Sequence, residues 1–495
     1  MPPNLAGKSD VRLWSAALLL CAEPAEAHSF GQVYTLPVPF WLYAWGAAAA
    51  LIASFVVAAL FLGRHAKARP EHPLAPWHAV PAPLVAVLRA GALFMLVLCI
   101  ATGFAGTRII HVNFNMTAFW VVFVLGFAYL TAIAGDLYAL ISPWRTLASL
   151  TDRLAPGFAT GRIAYPQRFG YWPAIALYAA FVWIELLGKV NPFSLAWLLT
   201  AYTLLNLAAV AIFGARAWFR YGEMFSALFA LLARLAPVAF EHDSGGPPSA
   251  KFRWRAPLTG LLERRDDHPT LVVCALFMLS ATAFDGLHQS QPWVGWFFGD
   301  VYRGVLSRWL GGNVVAAFPV LLTLFRAWQT FWLLASPLIY AAVYVLAIQA
   351  MHRLSRRRCP ARELALRFFP SLLPIVLVYH IAHYGTLLWT QGPKIFALAS
   401  DPFGFGWNLF GTVGWFPGSR VPDLTLVWHL QVALIVGGHV ASVAIAHEEA
   451  LHVFGDRRSA ALSQLPMLAL MVAFTVAGLW ILSLPFGTPL GQPPV

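Results

Sequence analysis

Histidine and aspartate side chains within apolar stretches are the residues of this sequence best suited to chemistry. His380 and His383 occur in ALRFFPSLLPIVLVYHIAHYGTLLW, and His429 and His439 occur in LTLVWHLQVALIVGGHVASVAIAH. Imidazole is a good ligand for zinc, copper and iron, and ionisable residues inside a membrane usually serve a substrate, ion or proton site. The pattern is consistent with a metal or haem b site, a proton relay, or histidines that bond to neighbouring helices or face a wet cavity.

The depth of each histidine narrows the choice of ligands. At about 1.5 Å per residue, His383 lies roughly 9 Å outward of the centre of its helix, and His429 roughly 10 Å outward of the centre of the next. His380 lies about one turn deeper. On antiparallel neighbouring helices, His383 and His429 could ligate a haem, or could bind a metal together with His380. His380 and His439 form a second haem pair, with a poorer match in depth.

The predicted outer face adds further candidates. Asp285 and His288 end an apolar segment, whereas Glu185, near the end of another, is expected to be interfacial. Cleavage of a leader after Ala27 would expose His28, whose amine and ring nitrogen together suit copper(II). Copper is therefore the favoured metal, and the predicted metal ligands are His28, His380, His383, His429, Asp285 and His288.

Composition indicates which elements must position these side chains. The chain is 59% hydrophobic and only 11% charged, against about 25% charged in a soluble protein. Apolar runs recur at close to the roughly 20 residues that span a bilayer. The sequence thus predicts an all-α polytopic bundle of about ten transmembrane helices, at residues 40–63, 83–105, 117–140, 171–188, 194–214, 269–288, 329–351, 367–388, 425–447 and 463–484.

The amino terminus resembles a cleavable signal peptide. Lys8 and Arg12 precede a short apolar stretch that ends before Pro24, and small residues flank the predicted cleavage position after Ala27. With His28 outside, Lys and Arg concentrate in the loops predicted to lie inside. The sequence therefore predicts a bacterial inner-membrane protein with the mature amino terminus and the carboxyl terminus both outside. The net charge of +12 is explained by these loops, so no nucleic-acid partner is expected.

The predicted organisation has four parts. They are the signal peptide (1–27), an amino-terminal membrane half (28–240), a cytoplasmic loop (241–268) and a carboxyl-terminal membrane half with the histidine cluster (269–495). Residues 222–240 are expected to form an interfacial helix, and 313–328 either to extend the seventh span or to lie along the outer surface. The four cysteines include no C-x-x-C pair, which argues against a cysteine-ligated metal and covalent haem.

At YHIAHY, SDPFGFGWNLFGT and TLPVPFWLY the chain resembles members of a widespread family of prokaryotic multi-pass membrane proteins. The resemblance would cover most of the chain and implies a multi-pass membrane protein. It implies no activity, cofactor or catalytic residue.

Two main functional hypotheses follow from the sequence. The first is an inner-membrane protein with haem b or a transition metal, which serves electron transfer or metal handling with a periplasmic redox or metal-carrier partner. The alternative is a small-solute permease in which His380, His439 and Asp285 line a polar path. A membrane-embedded transferase ranks last because no paired acidic motif is present, and whether the protein is an enzyme stays open.

Overall fold

The computed structural model describes residues 38–61, 75–242, 250–263, 268–310, 314–355, 359–415 and 423–484. Within these ranges the chain forms an all-α bundle with one small antiparallel sheet. Nine of the described helices are long and apolar enough to cross a membrane. Helices satisfy their backbone hydrogen bonds internally, which is why such bundles are stable in lipid. The chain is thus a multi-pass helical membrane protein.

The helices are numbered in chain order. They are α1 Phe40–Phe61, α2 Ala82–Ala105, α3 Phe114–Ala134, α4 Leu137–Ile141, α5 Pro143–Leu154, α6 Trp172–Leu187, α7 Pro192–Phe213, α8 Met224–Leu232, α9 Thr270–His288, α10 Gln291–Gly295, α11 Val314–Leu354, α12 Ala361–Phe368, α13 Leu373–Gln391, α14 Lys394–Ser400, α15 Leu424–Phe454 and α16 Arg457–Ser483. The segments Thr117–Phe127, Trp218–Gly222 and Trp296–Leu306 are π-helical.

Helix α9 is the central helix of the bundle. Of its apolar window, 89% is buried, against 17% for α2, as expected for a helix that is apolar all round. It packs against α6, α11, α13 and α16. Gly286 permits the close approach to α16, because a Cβ atom there would lie 2.5 Å from Cγ2 of Ile481. This packing places the carboxyl-terminal turn of α9 inside the protein.

A helical hairpin, residues 215–235, follows α7 and turns back along it. Gly214 turns the chain with φ of 80°, and residues 215–222 then run back along α7, where Trp218 donates its indole N–H to Asn206. The hairpin breaks at Glu223, which is fully buried and accepts the hydroxyl proton of Tyr202, halfway along α7. Helix α8 and the turn 233–235 complete the hairpin. The expected interfacial helix at 222–240 is therefore largely enclosed by the bundle.

A three-stranded sheet lies at the end of the bundle where α2 begins. The strands β1 (His78–Val80), β2 (Val238–His242) and β3 (Ala250–Trp254) have the order β1-β3-β2. Val80 pairs with Ala250, and Phe240 pairs with Phe252. The sheet ties the connection between α8 and α9 to the segment before α2. The predicted loop 241–268 thus contains a strand.

Most predicted spans coincide with helices, with two differences in length. Helix α11 has 41 residues, so residues 314–328 extend the predicted seventh span, as one of the two expectations held. Helix α6, the predicted fourth span, has 16 residues and a length of about 24 Å. The hydrocarbon core of a bilayer is about 30 Å thick, and this is why α6 is not among the nine long helices.

Candidate polar site around Asp285

Asp285 is the centre of a polar cluster inside the bundle. Its side chain lies in the last turn of α9 and the residue is only 4% exposed. Nε2 of His383 lies 2.8 Å from Oδ2 of Asp285, and the hydroxyl of Tyr384 donates to the same oxygen at 2.5 Å. Both donors come from α13, so one carboxylate joins the two helices. Hydrogen bonds to a charged acceptor are roughly twice as strong as neutral ones.

These contacts define the tautomer of His383. A carboxylate oxygen accepts hydrogen bonds, so Nε2 of His383 carries a proton, and Nδ1 presents a lone pair when the ring is neutral. Among the described residues, no partner is found for that Nδ1 atom. An imidazole oriented by a carboxylate and free at its second nitrogen can take up a proton or bind a metal.

His288 also contacts Asp285, but its two ring nitrogens have other hydrogen-bond partners than those of His383. Its Nδ1 donates to the backbone carbonyl of Asp285 at 2.8 Å and lies 3.6 Å from the carboxylate Oδ1. Its Nε2 accepts from the amide of Gln289 at 3.2 Å. Both ring nitrogens are thus engaged, and the residue is 1% exposed. The structure thus brings together three of the six predicted metal ligands, which are Asp285, His288 and His383.

A cavity lies beside this cluster. It provides about 70 Å³ for water-sized molecules, and its wall includes Tyr129, Glu185, His380 and Tyr384. A cavity needs only about 10–15 Å³ of such volume to hold one water. Tyr384 connects the two features, because its ring lines the cavity while its hydroxyl bonds to Asp285.

His380 faces a different neighbour from His383. The hydroxyl of Tyr129 on α3 lies 3.1 Å from Nδ1 of His380 and donates to its backbone carbonyl at 3.2 Å. The His380 ring also lies against Tyr384, with centroids 4.7 Å apart. His380 therefore belongs to the cavity wall, whereas His383 belongs to the Asp285 cluster.

The structure does not bring His429 to His383. His429 is exposed, its Nδ1 donates to the carbonyl of Thr425 in its own helix, and its Nε2 lies 3.5 Å from the hydroxyl of Tyr43 on α1. His383 instead faces α9. The two histidines were predicted at equal depth, but helix rotation turns their rings toward different neighbours.

His439 lines a second, much smaller cavity. The residue is 2% exposed, its Nδ1 donates to Ile435, and its Nε2 is buried with no partner among the described residues. The hydroxyl of Tyr379, on the same cavity, is also buried and unpartnered there. The space of about 10 Å³ is close to that of one water molecule.

Within the described ranges, no group of three or more His, Cys, Asp or Glu side chains has the arrangement of a metal site. In the Asp285 cluster, the carboxylate, Nε2 of His383 and both ring nitrogens of His288 are already engaged in hydrogen bonds. His28 lies outside the described residues, as do Cys21 and the predicted leader.

Sequence reasoning missed two parts of this region. Glu185 was expected to be interfacial, but its side chain lines the large cavity. The buried Glu223 caps α8 by accepting from the N–H groups of Phe225 and Ser226. A usable signal was present for Glu185, which stands alone in a long apolar stretch where an unpaired charge would be costly.

Comparison with known protein families, with curated proteins and with solved structures found no significant match.

Proposed function

We propose that the protein is a permease for a small solute, with Asp285 and His383 as its proton-handling pair. The supporting observation is a buried carboxylate in the central helix that is bonded to His383 and Tyr384 next to a cavity of about 70 Å³. Ionisable residues at such positions commonly mark substrate paths and proton relays. Proton uptake at Nδ1 of His383 would convert the pair into an ion pair and change its affinity for a neighbouring solute.

The helical hairpin supports the same proposal. Irregular backbone inside a membrane protein is tolerated where protein surrounds it or where it lines a cavity. Phe225, Leu228, Phe229 and Leu232 of α8 form part of the cavity wall. Broken helices of this kind supply binding sites near the midplane in many transporters. A shift of α8 would open or close the cavity toward the side where the sheet lies.

The membrane arrangement is part of this proposal. It comprises a cleaved signal peptide over 1–27, ten spans that include α6, and a bacterial inner-membrane location with both mature termini outside. Under this arrangement the sheet lies in the cytoplasm, because the connections on that side carry most of the Lys and Arg.

The test is gradient-driven uptake into proteoliposomes. Vesicles with purified protein and an imposed proton gradient are incubated with a defined mixture of small amines, carboxylates, sugars and alcohols, and their contents are identified by mass spectrometry. We expect one solute class to accumulate and the His383→Gln variant to lose the response to the gradient. His429→Gln is the matched control, since this histidine lies at the periphery. Failure of every class to accumulate, or equal loss in the control, would contradict the proposal.

A second candidate is metal handling at the Asp285 cluster. It is favoured by the convergence of two imidazoles, from His288 and His383, on one carboxylate. Two histidines and a carboxylate suit several divalent transition metals, although His288 would have to release its present partners. Metal analysis of protein equilibrated with copper(II) or zinc separates the candidates. Stoichiometric binding that His383→Gln abolishes and His429→Gln preserves would favour a metal site.

A further inference from the structure

The large cavity has an acidic side chain in its wall and no basic one among the described residues. Glu185 lines it, and no hydrogen bond or ion pair to this carboxylate is found among the described residues. Asp285 lies near enough for the two carboxylates to interact electrostatically. Of the described residues that line the cavity, none is Lys or Arg. A carboxylate inside a bundle normally has a positive partner, so a cation is the ligand that this wall lacks.

The remaining wall is rich in aromatic rings. Tyr129 and Tyr178 line the cavity together with Phe181, Phe225 and Phe229. Phe225 and Phe229 lie 5.8 Å apart in a stacked pair on α8, and Phe181 contacts Phe225 with centroids also 5.8 Å apart. The faces of aromatic rings attract cations, and cages of such rings recognise ammonium groups.

We infer that this cavity binds a small organic cation of the ammonium type, with Glu185 as its counter-charge and the aromatic rings around its apolar substituents. The inference names the substrate class of the permease and so rests on the proposed function. A hydrated metal ion would favour a wall of oxygen ligands, whereas this wall combines one free carboxylate with apolar rings. The volume of about 70 Å³, which corresponds to a few water molecules, fits a compact organic ion.

The cavity site differs from the Asp285 cluster in whether its carboxyl group already has hydrogen-bond partners. Asp285 already receives two hydrogen bonds, whereas the carboxyl group of Glu185 lines the cavity with no hydrogen-bond partner found among the described residues. Tyr384 lies between them. A bound cation would therefore interact directly with Glu185 and at longer range with Asp285, and protonation of His383 would weaken its binding by repulsion. This coupling has the sign that exchange of a cation for a proton requires.

The test compares three probes of nearly equal shape on the purified full-length protein. They are choline, its neutral carbon isostere 3,3-dimethylbutan-1-ol, and the anion 3,3-dimethylbutanoate. Binding is measured by calorimetry, and uptake is measured separately in the proteoliposomes. We expect choline to bind more than about fiftyfold more tightly than the neutral isostere, because ring–cation attraction contributes about five- to thirtyfold and the Glu185 counter-charge more than about tenfold. The anion should not bind measurably.

The variants test which group recognises the charge. Glu185→Gln retains the side-chain shape and should weaken choline binding by more than about tenfold, with little effect on the neutral isostere. Glu448→Gln, which changes an exposed acid, is the matched control. If Glu185→Gln does not fold, the comparison of the three probes on the unmodified protein still decides the question.

The outcomes separate this inference from the permease proposal. If the neutral isostere or the anion binds more tightly than choline, the cation assignment is wrong. Gradient-driven uptake of either compound would still support the permease proposal. No binding of choline at millimolar concentration would also overturn the assignment. Choline binding that Glu185→Gln weakens, without any uptake into vesicles, would support the site and contradict the permease.

Discussion

Replacement of Asp285 tests whether the polar cluster holds α9 and α13 together. In Asp285→Ala the Nε2–H of His383 and the hydroxyl of Tyr384 lose their common acceptor. An unsatisfied buried donor costs about 1–3 kcal/mol, so two donors would cost about 2–6 kcal/mol. Alanine also removes the desolvation cost of a buried carboxylate, and water in the cavity can replace part of the bonding. We therefore expect a loss of about 2–4 kcal/mol.

Asp285→Asn should be milder. The amide oxygen can accept one of the two hydrogen bonds and the side chain fills the same space, so we expect a loss of about 1 kcal/mol. The order of stability should be wild type, then Asn, then Ala. The same order is not expected for transport, because an amide cannot exchange a proton with His383 and both variants should lose coupling.

The assay is reversible unfolding in mixed dodecylmaltoside and SDS micelles, followed by tryptophan fluorescence. Glu448→Ala serves as the control, because this acid is exposed and its loss should change the free energy of unfolding by less than about 0.5 kcal/mol. A loss below about 1 kcal/mol for Asp285→Ala would refute the reasoning. So would equal stability of the Asn and Ala variants, since the argument depends on the retained acceptor.

Three further predictions concern packing, reactivity and topology. Gly438→Ala should lower the free energy of unfolding by about 1–3 kcal/mol, because its Cβ would lie 2.4 Å from Cγ2 of Val378. Gly437→Ala is the control and should be neutral, because nothing lies within 4 Å of its Cβ. Equal effects of the two substitutions in SDS unfolding would contradict the packing of α13 against α15. Burial, and secondly the charge of Glu363, raise the pKa of Cys359 to about 11, so at pH 8 only about one thiol in a thousand is ionised. Its alkylation rate, followed by peptide mass spectrometry, should rise about tenfold per pH unit up to about pH 10, and a plateau below about pH 9 would exclude the raised pKa. A reporter fused after Val495 should be active only in an oxidising compartment, and cytoplasmic activity would mean that the number of spans is odd.

The sequence predicted a multi-pass membrane protein correctly because few backbone structures are stable in a lipid bilayer. A spanning segment must be apolar, about 20 residues long and helical, and each of these properties is local. The nine long helices accordingly coincide with predicted spans. Helix α11 exceeded its predicted length because the segment before residue 329, which contains Pro319, continues the same helix.

Local rules were insufficient for the hairpin at 215–235. Its sequence is apolar with basic residues at its start, a pattern shared by interfacial helices and buried ones. What distinguishes them is that Glu223 accepts hydrogen bonds from the hydroxyl of Tyr202 and from N–H groups at the amino terminus of α8. These contacts involve α7, and no periodicity within the hairpin encodes them.

The candidate site shows most clearly what is encoded locally in the sequence and what depends on tertiary packing. The sequence determined that His383 and Asp285 lie inside apolar helices, and helix rise gave their depth, because axial position depends only on residue count. Depth alone paired His383 with His429. Rotation about the helix axis is decided by packing with neighbouring helices, and it turned His383 toward Asp285 and left His429 beside Tyr43. The sequence by itself thus determined a membrane bundle with ionisable residues inside it, whereas only the tertiary structure decided which of those residues meet.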